Sequence, residues 1–313
     1  MPSQNVSTKI ISEFVILGLD TVEYKLVTGV VLLLIYILAM FANTANICFI
    51  AMDKRLHQPM YIFICNLALV DMLYSSSACP SMIGILLAGY KTISFIPCIL
   101  QMCAFHLGGV MEIFAIGVMA LDRLIAISNP LRYPVILNST RTVLISVLLW
   151  LVAGSVLAIV PATVLRLPFC SSTIQYIFCE YAALIRTTCV DPSPYFNMMS
   201  SLLFVLLLGM FSFICLSYIR IIVAVMKMTL KSNKKKMFYT CLSHLIVITC
   251  FYVPMFVRVI LTRLGVVLTT DERHGLMVGA MLGSSLVNPF IYCFRTKEIR
   301  NKIFRFFSKV ASE

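Results

Sequence analysis

Two carboxylic acids lie alone within long apolar stretches of this chain. Asp71 interrupts the run Gln58–Tyr90, and Glu112 interrupts the run Thr92–Leu121. A charged side chain in the middle of a membrane helix costs roughly 2.5–3.5 kcal/mol, so such residues are functional candidates by default. Two carboxylates close together in a low dielectric cannot both stay charged without a partner. We therefore predict that Asp71 and Glu112 hold a monovalent cation such as sodium, or share a proton.

The alternative role for these two acids is structural. One carboxyl group would then be protonated and satisfied by hydrogen bonds to uncharged polar side chains in neighbouring runs. The candidate partners are Asn43, Ser284 and Ser285. Both roles stay open on the sequence alone.

A charged pair and two prolines predict a conformational change. Asp122 and Arg123 are adjacent where the second interrupted run ends. They can pair in one conformation and separate in another, although a charged pair at a helix end is more often an ordinary solvated cap. Pro254 and Pro289 each remove one backbone hydrogen bond and kink a helix, and we expect Asn288 to satisfy the groups freed beside it. The pattern predicts helix ends that swing while Arg123 changes partner.

Seven apolar runs, each about as long as a bilayer is thick, must position these residues. A helix needs roughly 20 apolar residues to cross the hydrocarbon core, and lipid offers the backbone no hydrogen-bond partner, so each run must be helical. The runs are Leu26–Met52, Gln58–Tyr90, Thr92–Leu121, Thr142–Leu165, Pro192–Ile219, Met237–Val257 and Gly275–Phe294. We predict an all-α membrane protein, a seven-transmembrane helix bundle with a short amphipathic C-terminal helix.

The chain divides into three expected parts. Residues 1–24 form an extracellular tail, 25–294 the seven-transmembrane domain, and 295–313 a cytoplasmic amphipathic helix and tail. The outer tail is too short to form a ligand-binding domain of its own. Basic and apolar residues alternate after residue 295, which predicts a segment lying on membrane lipid at the inner surface.

The distribution of charge predicts the orientation and excludes whole classes of function. The chain is 60% hydrophobic and only 12% charged, with a formal net charge of +12. Of its 25 basic residues, 17 fall on one side of the predicted bundle. This positive-inside bias predicts a multi-pass plasma-membrane protein with an extracellular N-terminus and a cytoplasmic C-terminus. It argues against a soluble enzyme and explains the basic charge without a nucleic-acid partner.

Four of the twelve cysteines lie on the predicted outer side, one at the outer start of the third apolar run and three between the fourth and fifth runs. These are Cys98, Cys170, Cys179 and Cys189. An even number of cysteines on an oxidising side predicts two disulfides, for which three pairings are possible. Asn5 begins an Asn-Val-Ser sequon on the same side, which predicts N-glycosylation.

In combination, the motifs of this chain resemble the rhodopsin-like G-protein-coupled receptors and, within them, the olfactory (odorant) receptors. The resemblance runs from about residue 13 to residue 305. The motifs are Glu13–Gly18 (EFVILG), Leu56–Tyr61 (LHQPMY), Met119–Tyr133 (MALDRLIAISNPLRY), Ser217-Tyr218, Thr240–Leu245 (TCLSHL), Asn288–Tyr292 (NPFIY) and Arg295–Glu298 (RTKE). Two departures from the family pattern, Leu124 and Ser128, are mild.

The resemblance implies roles for individual residues. It implies a disulfide Cys98–Cys179 and a second one, Cys170–Cys189, and the acid pair would hold sodium, the only cofactor implied. It also implies a non-enzymatic receptor that responds to a small-molecule odorant through a heterotrimeric stimulatory G protein of the olfactory type, which raises cyclic AMP. The residues implied in G-protein coupling and activation are Asp122, Arg123, Tyr218, His244, Tyr252, Asn288, Pro289 and Tyr292.

The segment Phe251–Gly265 resembles the fish-like, class I branch of this family. In some members of that branch an Arg and a His at the positions of Arg263 and His106 hold a ligand carboxylate. The planar guanidinium of an arginine can bond both carboxylate oxygens. Phe105 stands where amine receptors keep an acid, which disfavours an amine. We therefore predict a small, water-soluble acidic odorant. The other side chains expected to shape its pocket are Phe105, Met102, Gly109, Met255 and Val259.

Alternatives to this ligand hypothesis stay open. Arg263 can be an interfacial, snorkelling side chain, and His106 can be a hydrogen-bonded core histidine. A retinal-linked photoreceptor would need a lysine in Gly275–Phe294, which has none, and a zinc hydrolase would need clustered histidines, whereas the four present are scattered. A channel or transporter stays formally open. The serious alternative is a non-olfactory rhodopsin-like receptor for a small metabolite.

Overall fold

The structure is a computed structural model that describes residues 11–227, 231–263 and 269–295. Most of this length is helical. The predicted glycosylation site Asn5 and the predicted amphipathic helix that follows residue 295 lie outside the described residues.

Seven long helical rods run through the described part of the chain, and the fourth rod consists of two helices end to end. In chain order the helices are α1 (Lys25–Met52), α2 (Pro59–Ala88), α3 (Phe95–Ser128), the short α4 (Tyr133–Ile136), α5 (Ser139–Leu157) continued by α6 (Ile159–Val164), the short α7 (Tyr181–Ile185), α8 (Ser193–Lys227), α9 (Lys231–Arg263) and α10 (Thr270–Arg295). A 3-10 turn, Lys54–Leu56, connects α1 to α2.

Five of these rods are long and apolar enough to cross a membrane by length and composition. They are Lys25–Met52, Pro59–Ala88, Ser139–Val164, Ser193–Lys227 and His274–Ile291. The other two rods are α3, which carries Glu112, Asp122 and Arg123, and α9, whose described apolar stretch is Cys241–Val257. That stretch is shorter than the roughly 20 residues that a span needs. The predicted membrane helix bundle is confirmed, whereas within the described residues length and composition support five spans rather than seven.

Helix α3 lies at the centre of the bundle and packs against α2, α5, α8 and α9. Its side chains Val110 and Met111 are fully buried, whereas Leu34 of α1 is 61% exposed, as a lipid-facing side chain is expected to be. A Cβ atom added at Gly108 of α3 would lie 2.8 Å from the Cα of Tyr74. Only glycine therefore permits the close approach of α2 and α3 at this point.

A small sheet covers the end of the bundle that carries both disulfides, which we call the disulfide end. Its strands are β1 (Glu13–Ile16), β2 (Thr92–Ser94) and β3 (Thr173–Ile174), in the spatial order β2-β1-β3. Strand β1 pairs antiparallel with β2 and parallel with β3. The sequence analysis did not predict these strands, because each is short and its partners lie far away along the chain.

Candidate functional site

Four polar side chains meet at the centre of the bundle, between α2, α3 and α10. Nδ2 of Asn288 lies 3.0 Å from each carboxylate oxygen of Asp71 and 3.2 Å from Oε1 of Glu112. The hydroxyl of Ser284 donates to the same oxygen of Glu112. All four side chains are at most 1% exposed. The structure thus gathers the two predicted acids around one amide group, and we call Asp71, Glu112, Ser284 and Asn288 the central polar cluster.

Of the three uncharged residues considered as structural partners for the acids, Ser284 contacts a carboxylate. The other two bond backbone carbonyl groups instead. Nδ2 of Asn43 donates to the carbonyl of Ser285 at 2.9 Å, and the hydroxyl of Ser285 donates to the backbone carbonyl of Asp71 at 3.2 Å. Asn43 and Ser285 therefore support the helices around the cluster rather than the acid groups themselves.

Side chains of α1 bond the backbone carbonyl groups around Pro289 of α10. Pro289 has no N–H, so the carbonyl of Ser285, four residues earlier, loses its helical partner. Asn43 of α1 donates to that carbonyl, and Nδ2 of Asn46 donates to the carbonyl of Pro289 at 3.3 Å. The expectation that Asn288 would satisfy the freed groups was wrong, because its amide nitrogen is used by the two acids.

The oxygen atoms of the central polar cluster are suitable ligands for a small cation. Oε2 of Glu112 and Oδ1 of Asn288 are buried without a hydrogen-bond partner among the described residues. A buried acceptor left unsatisfied costs about 1–3 kcal/mol, and buried charges are normally paired or bound to a metal. Two unsatisfied oxygens beside the carboxylate of Asp71 are therefore a chemically suitable set of ligands for sodium.

The second predicted feature, the charged pair, lies at the end of the bundle opposite the disulfide end. An Nη of Arg123 lies 2.9 Å from Oδ2 of Asp122, and the Arg123 side chain is only 13% exposed. The hydroxyl of Tyr133, the first residue of α4, donates to the other Asp122 oxygen at 2.6 Å. Burial and the charge of Asp122 hold the pKa of Tyr133 above its ordinary value, so this donor stays protonated at neutral pH.

The sequence analysis missed Tyr133 as a member of this site, although it ends the motif Met119–Tyr133. Eleven positions separate it from Asp122, and only the turn after α3 brings the two side chains together. The signal available in the sequence was the motif itself.

Replacing Tyr133 by phenylalanine is expected to raise signalling in the absence of ligand. The variant keeps the ring but removes one hydrogen bond to a charged acceptor, a contact that contributes about 1.5–3 kcal/mol. Asp122 then holds Arg123 less firmly in the paired state. The measurement is ligand-independent G-protein activation, normalised to surface expression, with Tyr90→Phe as a control because Tyr90 is exposed at the disulfide end. Unchanged basal signalling in Tyr133→Phe would show that Tyr133 does not control the Asp122–Arg123 pair.

Two further predicted residues join α8 to α9. The hydroxyl of Tyr218 lies 2.8 Å from Nδ1 of His244, and their rings are stacked with centroids 5.9 Å apart. Both side chains are buried. Tyr252 of α9 is also buried and contacts the rings of Phe211 and Phe256.

The predicted residue Tyr292 belongs to α10, but its side chain lies outside the described residues. The same holds for Val259 and Arg263 of α9. Of the predicted ligand residues on α9, Met255 is described, and it is a half-buried side chain packed against the core.

The ligand residues predicted on α3 lie in an aromatic environment near the disulfide end. His106 is 6% exposed, and its ring centroid lies 5.4 Å from that of Phe105 and 6.3 Å from that of Tyr181. Phe105 in turn contacts Tyr74 of α2 at 5.1 Å and Phe178 at 4.7 Å. The sequence analysis missed these three partners.

The other two predicted residues on α3 lie beside these rings. Met102 is fully buried. A Cβ atom added at Gly109 would be 3.7 Å from the ring of Tyr74, which is ordinary contact. The α3 surface around His106 is therefore closely packed and largely aromatic, and the imidazole is one of its polar groups.

Two disulfides fix the segment that lies over this region. They join Cys98 to Cys179 and Cys170 to Cys189, with Cα–Cα distances of 5.4 and 5.1 Å. These are the pairings that the resemblance implied. Gln101, one turn after Cys98 on α3, also accepts a hydrogen bond from the backbone N–H of Cys179 at 2.9 Å. The segment before α8 is thus held against α3 by a covalent bond and a hydrogen bond.

An apolar helix bundle with these polar groups at its centre and at one end has the design of a G-protein-coupled receptor. Comparison with known proteins gives the family. A family model described as "Olfactory receptor" matches residues 32–310. The olfactory receptor-like protein OLF3 of Canis lupus familiaris is 36% identical over 93% of this chain and 92% of its own length. The human olfactory receptor 13D1 is 32% identical over 99% of this chain and 89% of its own length.

The human olfactory receptor 6N1 is similar to the same extent, at 33% identity over 94% of this chain and 95% of its own length. The chain belongs to the olfactory receptor family. It is therefore an odorant-sensing receptor of the multi-pass plasma-membrane type that couples to G proteins. The assignment to the class I branch stays a prediction.

Proposed function

We propose that this protein binds a small, water-soluble acidic odorant between the helices at the disulfide end and activates a stimulatory G protein of the olfactory type, which raises cyclic AMP. The disulfide end and the N-terminus face the outside of the cell, and the end with Asp122 and Arg123 faces the cytoplasm. The positive-inside distribution of basic residues supports this orientation, and so do the two disulfides, which require an oxidising compartment.

The observation that carries the proposal is the central polar cluster. A bundle that served only as a scaffold would be more stable with apolar side chains at these positions, because buried polar groups cost free energy unless they are fully paired. The cluster joins α2, α3 and α10 by hydrogen bonds from Asn288 and Ser284, and two of its oxygens have no hydrogen-bond partner in the described part of the chain. Such incompletely satisfied contacts can rearrange, and a receptor requires two arrangements of its helices.

Sodium is the cation that we propose for this cluster. Asp71 and Glu112 would hold it, together with oxygens of Ser284 and Asn288. When bound, it supplies the positive charge that two buried carboxylates need. Asn288 keeps the two acids in place, and Ser284 orients Glu112, so these two side chains maintain the spacing between α3 and α10.

His106 and Arg263 are the residues that we propose for the ligand carboxylate. His106 supplies the polar group of the α3 surface, and the rings of Phe105 and Tyr181 next to it favour the apolar part of an odorant. Arg263 is the last residue of α9. Its planar guanidinium suits a carboxylate better than a lysine would.

Arg263→Ala is expected to abolish responses to carboxylic acids and to leave surface expression intact. The reason is that a charge-assisted, bidentate pair with the ligand is lost, which corresponds to about 2 kcal/mol or more, or at least about thirtyfold in potency. The matched control is Arg166→Ala, which removes an exposed arginine between α6 and α7. Dose–response curves for straight-chain acids from acetic to octanoic acid measure the effect. An unchanged dose–response curve in Arg263→Ala would refute the proposed contact between Arg263 and the ligand carboxylate.

A further inference from the structure

The motif Glu13–Gly18 has no role in the function proposed so far, yet the structure binds it firmly at the disulfide end. Phe14 is fully buried, and its ring lies 5.9 Å from that of Phe95 and 5.5 Å from that of Phe169. The rings of Phe95 and Phe169 also contact each other, at 5.7 Å. The motif is therefore anchored in a closed triangle of aromatic rings.

Backbone hydrogen bonds continue this contact along the tail. The N–H of Val15 donates to the carbonyl of Ser172, that of Leu17 to Ile174 at 3.0 Å, and that of Gly18 to Tyr176 at 3.1 Å. The first two bonds advance by two residues along both segments, as in a parallel pair of strands, and the third joins Gly18 to Tyr176 just beyond that pairing. The tail thus determines the path of the chain from residue 172 to residue 176.

At Gly18 the two backbones leave no room for a side chain. A Cβ atom added there would lie 2.2 Å from the carbonyl carbon of Tyr176 and 2.7 Å from the backbone nitrogen of Ile177. Because the obstructing atoms are backbone atoms, a side chain at this position must displace the segment itself. Gly18 is therefore required by the packing of two backbones.

The segment that a side chain at Gly18 would displace leads directly into the candidate ligand region. The ring of Tyr176 contacts Phe178 at 5.4 Å and His274 of α10 at 5.1 Å. Phe178 contacts Phe105 at 4.7 Å, and Phe105 lies next to His106. A continuous series of contacts therefore joins the tail to the predicted ligand residues on α3.

A salt bridge holds the far end of the tail. Lys91 lies 2.6 Å from the carboxylate of Asp20, and Lys25 lies 3.6 Å from it. The hydrogen bond from Lys91 lowers the pKa of Asp20, so the carboxylate is charged at neutral pH and loses this contact only in acid, as the pH falls through the lowered pKa. The salt bridge between Lys91 and Asp20 is therefore formed across the physiological pH range.

We infer that residues 12–19 are a positioning element for ligand recognition, which holds Tyr176 and Phe178 over the ligand region without touching the ligand. This inference rests on the proposed function and extends it to the outer tail. Ligand potency then depends on Gly18 and Phe14, although neither lies among the helices that bind the ligand.

The test compares Gly18→Ala with Gly84→Ala in the full-length receptor, because a Cβ atom at Gly84 has no atom within 4 Å. Two readouts are used. The first is the concentration of butyrate giving half-maximal cyclic AMP or, if butyrate is silent, that of the most active compound in a panel of acids, amines and neutral odorants. The second is amide hydrogen exchange at residues 173–179 in purified receptor without ligand.

Gly18→Ala is expected to raise the half-maximal concentration about tenfold, which is about 1.4 kcal/mol, with maximal response and surface expression unchanged. Exchange at residues 173–179 is expected to accelerate at least about tenfold. Gly84→Ala should change neither readout. Phe14→Ala should act like Gly18→Ala, Phe14→Leu should restore most of the potency, and Glu13→Ala, on the exposed face of the strand, should have no effect.

Unchanged exchange in Gly18→Ala overturns the inference, and so does accelerated exchange with unchanged potency. If the wild-type receptor answers no compound, the proposed ligand class fails, and exchange alone decides: acceleration supports the positioning role of the tail, and no acceleration refutes it. The failure of the proposed function is therefore distinguishable from the failure of this inference.

Discussion

Replacing Asn288 by leucine is expected to destabilise the receptor strongly. Its amide donates to both oxygens of Asp71 and to Glu112, all buried from solvent. A hydrogen bond to a charged group contributes about 1.5–3 kcal/mol. Its loss here removes the Asn288 donor from both oxygens of Asp71 and leaves Glu112 with the hydroxyl of Ser284. We expect a loss of about 3 kcal/mol in the free energy of unfolding, measured as a lower thermal midpoint of the purified protein.

The double variant Asp71→Leu with Asn288→Leu serves as the control. Replacing both partners of a buried polar contact by apolar side chains is often nearly neutral, whereas removing one partner is strongly destabilising. The double variant should therefore be more stable than Asn288→Leu alone. If the losses in free energy of unfolding caused by the two substitutions simply add, Asn288 does not act through Asp71, and the central polar cluster is not an energetic unit.

The same preparation tests the sodium proposal. A ligand that binds the folded state alone stabilises it by mass action. The thermal midpoint of the wild-type protein is expected to be higher in sodium chloride than in choline chloride at equal ionic strength. Asp71→Leu should abolish the difference. If the midpoint of the wild-type protein does not depend on sodium, the sodium proposal is refuted, which leaves a shared proton or a protonated, hydrogen-bonded carboxyl group as the explanation of the two acids.

Arg123→Ala is expected to abolish G-protein activation while the receptor still reaches the cell surface. Arg123 lies at the end of the bundle opposite the disulfides, and Asp122 holds it at 2.9 Å. We propose that in the active state Arg123 leaves this pair and binds the G protein, so truncation would remove the contact on which coupling depends. Ligand-stimulated cyclic AMP should fall to about a tenth of the wild-type response or less.

Two variants make this prediction specific. Lys54→Ala removes an exposed cation from the same end of the bundle and should retain most of the signal. Asp122→Asn should act in the opposite direction to Arg123→Ala, because it weakens the resting pair and releases Arg123, which raises ligand-independent signalling. Full coupling by Arg123→Ala would show that the pair is only a solvated helix cap.

The sequence predicted the central acids because their cost in a membrane is high whatever surrounds them. It could not predict that Asn288 would be the residue that joins Asp71 to Glu112, since 217 and 176 positions separate it from them. The same limit explains why Asn43 was not assigned to the kink at Pro289. Proline rules identify which carbonyl is freed, but not which neighbouring helix faces it.

The count of spans shows a second limit, which comes from composition. The central helix α3 tolerates Glu112 and Asp122 because the bundle buries them. Its uninterrupted apolar stretch is therefore shorter than the part of the helix that the bundle encloses. The tail shows a third limit. Its motif contains the alternation of buried Phe14 and Ile16 with less buried neighbours, but the strands that pair with it begin near residues 92 and 173.

The central claim is that an odorant at the disulfide end drives a stimulatory G protein at the opposite end. The direct measurement is cyclic AMP in cells that express this receptor together with an olfactory-type stimulatory G protein, exposed to short carboxylic acids, amino acids, amines and neutral odorants. The account predicts a dose-dependent response confined to carboxylic acids and absent from Arg123→Ala. A response to amines or neutral compounds would discard the anchor at Arg263 and His106, and silence across the panel with confirmed surface expression would contradict the central claim.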